Sequence, residues 1–171
     1  MIVQPSDPIT RREILTLLTG ASALFDTSCL ISGNAAAVAV DFALPDAHGA
    51  VIRLSDYRGK VVLLDFWTTY CGACNIEIPW FIEFQITFKP RGFTVLGVSL
   101  DEQGWKVLHP FLEEKKVNYP VVLGDDEIAD RYGIQAMPTT FLIDRQGMIT
   151  ASHVGLIDRS QFEAEIEALL R

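Results

Sequence analysis

The run Val61–Trp67 is apolar throughout except for Asp65. It does not alternate between apolar and polar residues. It therefore reads as a strand covered on both faces, the kind found at the centre of a sheet between two layers. After Thr68-Thr69-Tyr70 comes Cys71-Gly72-Ala73-Cys74, which opens a stretch of helical periodicity running to Phe88. A cysteine pair at a strand-to-helix junction has a chemical consequence. The first turn of a helix carries free N–H groups and about half a positive charge. A thiol placed there ionises more readily, and the thiolate is the attacking species. An unperturbed cysteine, with a pKa of about 8.5, is only about 3% thiolate at pH 7. The i, i+3 spacing sets the second sulfur on the same side of the turn, within reach of a bond to the first. Cys71 is expected to be the exposed nucleophile and Cys74 the resolving thiol. Half of a zinc site is the competing reading, but zinc takes four ligands, and His48, His109 and His153 form no close-spaced pair.

Around this junction the chain alternates strand and helix. Asp41–Pro45 and Val51–Leu54 flank the turn cluster Asp46-Ala47-His48-Gly49, which predicts a hairpin. Phe93–Leu100 is a second buried strand. A helix over 105–116 presents Trp105, Leu108 and Leu112 on one face. Tyr119–Leu123 is extended, and Ile128–Tyr132 is a short helix closed by Gly133. Thr139–Ile143 and Met148–Val154 are strands about the turn Asp144-Arg145-Gln146-Gly147. Asp158 or Ser160 is expected to cap a last helix ending at Leu170. This order predicts an α/β fold: a mixed central sheet with helices on both faces and a hairpin at its N-terminal end.

Residues 1–37 read as a separate address, and 38–171 as the folded domain. Arg11-Arg12 precedes an apolar run from Ile14 to Phe25, and Ala35-Ala36-Ala37 suits cleavage by a signal peptidase. The paired arginines resemble a twin-arginine export signal, although Glu13 dilutes the charge and Asp26 interrupts the apolar run. An uncleaved membrane anchor and a soluble helix are the other readings. The apolar run is short against the roughly 20 residues that span a bilayer. Cys29 raises a lipid anchor, but Asp26-Thr27-Ser28 before it is a poor lipobox. The net charge of −8 and the lack of any basic cluster exclude nucleic acid as the expected partner.

Four segments in order carry a resemblance to a known family. Asp65-Phe66-Trp67-Thr68-Thr69-Tyr70-Cys71-Gly72-Ala73-Cys74 resembles the active-site segment of the thioredoxin superfamily. Met137-Pro138-Thr139-Thr140-Phe141-Leu142-Ile143-Asp144 is similar to its cis-proline loop and following strand. Arg58-Gly59-Lys60-Val61-Val62-Leu63 and Leu96-Gly97-Val98-Ser99 resemble the exported branch called TlpA-like or redoxin-type. The resemblance spans about residues 41 to 170. It implies a thioredoxin fold and a protein-disulfide reductase that needs no cofactor beyond the Cys71–Cys74 disulfide. Pro138 would be cis and face that disulfide, with Met137 offering backbone hydrogen bonds to a substrate strand. Trp67 and Tyr70 would wall the site, with a pure core role the other reading of Trp67. Asp65 stands where thioredoxin has a buried acid, and Glu77 where some exported reductases have an active-site glutamate. Either would carry the proton of Cys74. The other readings are a structural buried acid for Asp65 and a solvated charge for Glu77.

Gly72-Ala73 lacks the proline common in the family and any histidine that would stabilise a thiolate, which favours a reductant over a strong oxidant. The expected setting is the periplasm or cell envelope, in cytochrome c maturation. The expected protein is a monomer acting on client disulfides, with apocytochrome c as the client and a membrane dithiol as upstream donor. The alternatives are a thiol peroxidase of the peroxiredoxin branch and a copper-binding thiol chaperone. The peroxidase pattern is incomplete, because Thr68 and Cys71 lack its upstream proline. The copper branch spaces its cysteines one residue wider.

Overall fold

A computed structural model describes residues 37–171. The paired arginines, Cys29 and the first two alanines of Ala35-Ala36-Ala37 lie outside the described residues. Strand β1 (Ala37–Val38) is followed by the hairpin β2 (Ala43–Pro45) and β3 (Val51–Arg53), then by a 3-10 turn at Leu54–Tyr57. The central unit is β4 (Val61–Trp67), α1 (Gly72–Phe88) and β5 (Phe93–Ser99). After it come α2 (Trp105–Lys115), β6 (Val121–Leu123), α3 (Asp126–Tyr132), β7 (Thr139–Ile143), β8 (Met148–Val154) and α4 (Arg159–Leu170). Six strands form one sheet in the order β1-β8-β7-β4-β5-β6. β4, β5 and β6 run parallel, while β7 is antiparallel to β4, and β8 to β7. The mixed sheet and the separate hairpin are those expected from the sequence.

All seven residues of β4 and all seven of β5 are buried. The strand parity of β4 divides its side chains between two cores. Val61, Leu63 and Trp67 face a core filled by α1, α2 and α4. Val62, Leu64 and Phe66 face one filled by Ile128 of α3 together with Phe42, Leu54 and the hairpin. Asp65, at the alternate position, therefore points under α1.

The rings that hold α1 down fix where its N-terminus sits. Phe81, Phe84, Phe88, Phe93 and Phe162 interlock with centroid separations of 5.4 to 6.3 Å. Each is fully buried, which contributes about 1.5–3 kcal/mol per ring.

Local chemistry sets several boundaries. Asp46 Oδ1 accepts from the N–H groups of His48 and Ala50, which closes the hairpin turn. Asp125 caps α3 by accepting from the Ile128 N–H at 3.0 Å, so this helix starts before Ile128. Asp158 occupies the N-cap of α4, but its side chain makes no capping bond, so the expected side-chain cap is not formed. Strand β1 has no signal in the sequence. It pairs with the outer edge of β8, Ala37 opposite Ile149 and Val38 opposite Met148. The described fold thus takes in Ala37, the last residue read as leader.

Candidate active site

The site lies where β4 ends. Thr68-Thr69-Tyr70 leaves the strand, and Cys71 is the N-cap of α1, with extended backbone angles (φ −76°, ψ 112°). Its Sγ accepts the Cys74 N–H at 3.1 Å. This is the capping bond usually made by an oxygen. Cys71 and Cys74 are joined as a disulfide, with Cα atoms 5.3 Å apart. Cys71 is half-buried, while Cys74 is sealed in the core beneath α1. The two sulfurs therefore differ in access: Cys71 can be reached from outside the protein and Cys74 cannot.

Two side chains that the sequence does not flag hold this loop. Asp101, after β5, accepts the Thr69 N–H on both oxygens, at 3.2 and 3.0 Å. It also accepts the Thr69 hydroxyl at 2.6 Å and the Ser99 hydroxyl at 2.8 Å. Asn75 donates from its amide nitrogen to the carbonyls of Thr69 at 3.0 Å and Cys71 at 2.9 Å. Asp101 is buried, so its bonds are shielded from competing water. Replacing Asp101 by Ala is expected to cost about 1.5–3 kcal/mol in urea unfolding. It should also slow disulfide exchange, because the segment before Cys71 loses its tether.

Asp65 and Glu77 are both 1% exposed. Asp65 Oδ1 and both Glu77 oxygens lack a hydrogen-bond partner of normal geometry. Burial, and the neighbouring Glu77 charge after it, hold the Asp65 carboxyl well above the usual carboxylate range. Burial pushes Glu77 up to about 7, offset in part by the backbone N–H of Ile157. The reading of Glu77 as a solvated charge is thus corrected: its place on the inner side of α1, one turn beyond Cys74, takes it out of water. Tyr119 joins this group from the residues before β6. Its buried hydroxyl has no partner, and burial, then Asp65 and Glu77, raise its pKa well above normal. Gly97 makes the room: a β-carbon there would stand 2.9 Å from the Trp67 indole nitrogen and 3.5 Å from the Tyr119 ring.

The Met137–Pro138 peptide is cis. Thr139 pairs with Phe66 near the end of β4, so Pro138 stands at the end of the sheet from which the Cys71 loop departs. Gly155 donates its N–H to the Pro138 carbonyl at 2.8 Å. Met137 packs at the edge of the same core as Cys71.

Trp67 and Tyr70 separate. Trp67 is wholly buried and stacks on Phe111 of α2 at 5.3 Å. A ring with no exposed surface cannot touch a client, so Trp67 supports the site from below and its placement as a wall is corrected. Tyr70 is 73% exposed and stands at the rim. Ile76, Val154 and Leu156 are also exposed, with Val154 opposite Thr139.

Residues 35–152 match the pattern of the AhpC/TSA family. The chain belongs to that family. It is 34% identical over 160 residues to the thiol-disulfide oxidoreductase ResA of Geobacillus kaustophilus, covering 91% of this chain and 91% of that one. To ResA of Bacillus subtilis it is 37% identical over 123 residues, 71% of this chain and 68% of that one. A structure described as a thiol:disulfide interchange protein DsbE from Chlorobium tepidum superposes with a TM-score of 0.75 at 38% identity, covering 80% of this chain and 97% of the other. The exposed lipoprotein thioredoxin of Streptococcus pneumoniae superposes with a TM-score of 0.62 at 27% identity, covering 76% of this chain and all of that one. The fold is the thioredoxin fold, and the enzyme is a thiol-disulfide oxidoreductase with a Cys71–Cys74 redox pair.

Proposed function

We propose that the reduced enzyme donates electrons to client protein disulfides in the cell envelope. What carries this reading is the disulfide at the start of α1, with Cys71 half-buried, Cys74 buried, and two buried carboxyl groups, Asp65 and Glu77, on the strand before it and the helix it opens. The Cys71 thiolate attacks a client disulfide, one client thiolate leaves, and a mixed disulfide forms at Cys71. Cys74 gives its proton to Asp65 or Glu77 and attacks Cys71 Sγ. The second client thiolate leaves and the Cys71–Cys74 disulfide closes. A membrane dithiol restores the reduced state.

Pro138 and the backbone of Met137 align the client strand in this reading. Tyr70, Ile76, Val154 and Leu156 give it an apolar surface, as an unfolded chain such as apocytochrome c would need. Gly72-Ala73 offers no side chain to stabilise the Cys71 thiolate beyond the helix start, which favours donation over oxidation. Residues 1–37 act as the export leader or anchor.

A reduction potential near or below the glutathione poise, about −220 to −260 mV, is expected; one near −120 mV, that of a strong oxidant, would reverse the direction. The reduced enzyme should also open the disulfide of an apocytochrome c peptide faster than it consumes hydrogen peroxide. The opposite ranking would favour the peroxidase reading.

A further inference from the structure

One polar rung crosses the α1 face of the sheet. Strand pairing sets His153 of β8 opposite Thr140 of β7, Thr140 opposite Asp65 of β4, and Asp65 opposite Gly97 of β5. Paired residues project to the same face, with β-carbons about 4.5–5.5 Å apart. The flanking rung on that face, Ala151, Leu142 and Leu63, is apolar. Thr140 Oγ1 and Asp65 Oδ1 are both buried and both without a hydrogen-bond partner. At the outer end, His153 Nε2 lies 2.8 Å from Glu165 Oε2 of α4, with the two side chains 12% and 29% exposed. The polar groups thus run from a buried carboxyl of the site to the partly exposed pair His153 and Glu165.

A protonated carboxyl is a hydrogen-bond donor, and leaving a buried donor without an acceptor is unfavourable. Thr140 Oγ1 is an unused acceptor on the neighbouring strand. A hydroxyl accepts one proton while donating its own, so it passes protons without holding charge. Valine has the same shape and would fill this core position equally well. The hydroxyl therefore needs a reason other than packing.

We propose that this rung is the proton path between Cys74 and water: Asp65 takes the proton of Cys74, Thr140 relays it, and His153 with Glu165 exchanges it with solvent. The path rests on the reading of Asp65 as the proton acceptor of Cys74. When the mixed disulfide resolves, the Cys74 S–H bond breaks and its electron pair stays on sulfur to attack Cys71 Sγ. The bond from Cys71 to the client sulfur breaks, and the client leaves as thiolate. The proton on Asp65 passes to Thr140 as the hydroxyl proton of Thr140 passes to His153, and one proton is released to water. The groups facing Asp65 are Glu77 from α1, whose charge raises its pKa after burial does, and Tyr119 from the residues before β6, whose own pKa is raised by burial, then by Asp65. Glu165 of α4 faces His153.

The test follows the oxidation of the reduced enzyme by a peptide disulfide in single-turnover mixing from pH 5 to 9, in H2O and D2O. Thr140→Val and His153→Ala are each expected to slow the resolving step about tenfold or more and to enlarge its solvent isotope effect. Thr140→Ser should keep the wild-type rate, and imidazole should restore His153→Ala, which separates proton transfer from a folding defect. If Thr140→Val and His153→Ala fold and keep the wild-type rate and pH profile while Asp65→Asn is slow, the path is wrong and the role of Asp65 stands. If Asp65→Asn is also unchanged, the underlying reading fails with it. Slowing by His153→Ala without imidazole rescue, or equal slowing by Thr140→Ser and Thr140→Val, also overturns the relay.

Discussion

Replacing Cys71 by Ser is expected to lower catalysed insulin-disulfide reduction about a thousandfold or more, to the rate of the reductant alone. The hydroxyl of serine does not ionise in the working range, so the helix start has no nucleophile to stabilise. Cys74→Ser is expected to fail differently. It should still attack a client once through Cys71 and then stall, because no second sulfur reaches the mixed disulfide. The two variants give equal losses of turnover but opposite single-turnover results: no client adduct for Cys71→Ser, and a stoichiometric one for Cys74→Ser. The contrast follows from the burial difference between the two sulfurs, since the sealed Cys74 cannot meet a client without unfolding the first turn of α1.

The second large effect is on stability, and its sign is set by Glu77. In the unfolded chain this carboxyl titrates near its ordinary value of 4.5; in the folded protein burial raises it to about 7. The folded state therefore binds the proton more tightly. Its stabilising contribution is complete below the unfolded value and declines as pH rises through 7. A tenfold difference in proton affinity between the two states corresponds to about 1.4 kcal/mol, so the loss between pH 4.5 and 8 is about 2–3 kcal/mol. Asp65 is raised in the same direction and adds to the trend. Glu77→Gln removes the charge and keeps the shape. It is expected to leave stability at pH 5 near that of the wild type and to raise it by about 2–3 kcal/mol at pH 8. If Glu77, rather than Asp65, takes the proton of Cys74 in the proposed mechanism, the gain in stability should come with slower exchange; an unchanged exchange rate leaves that role to Asp65. Urea unfolding of both proteins at pH 5 and pH 8 checks the sign. A wild-type protein more stable at pH 8 than at pH 5 would contradict it.

The parts of this molecule visible in its sequence are those governed by local pattern. The missing alternation in Val61–Trp67 announces a strand covered on both faces, and all seven residues are buried. The Cys71–Cys74 spacing announces a bond the structure contains. The hairpin is legible because Asp46 and Gly49 mark a turn between two extended stretches. What escaped depends on segments distant in the chain. Asp101 looks like an ordinary turn residue after a strand. It becomes a latch only because parallel pairing of β4 and β5 brings Thr69 beside it.

Trp67 shares a face with Asp65 by strand parity, but its burial depends on Phe111 arriving from α2. Glu77 reads as either a surface or an inner charge until the Phe81–Phe84–Phe88 rings fix which side of α1 faces the core. β1 has two residues and no periodicity of its own; the open edge of β8 makes it a strand. The rung His153–Thr140–Asp65 needs the register of two antiparallel pairs, which no single segment encodes.

The most direct test of the account is to mix reduced Cys74→Ser protein with a client peptide disulfide and map the adduct by peptide mass analysis. One client half per protein, attached at Cys71, is the predicted result. Stable adduct on another side chain, or none while the wild-type protein still turns over, would contradict the assignment of Cys71 as the attacking sulfur.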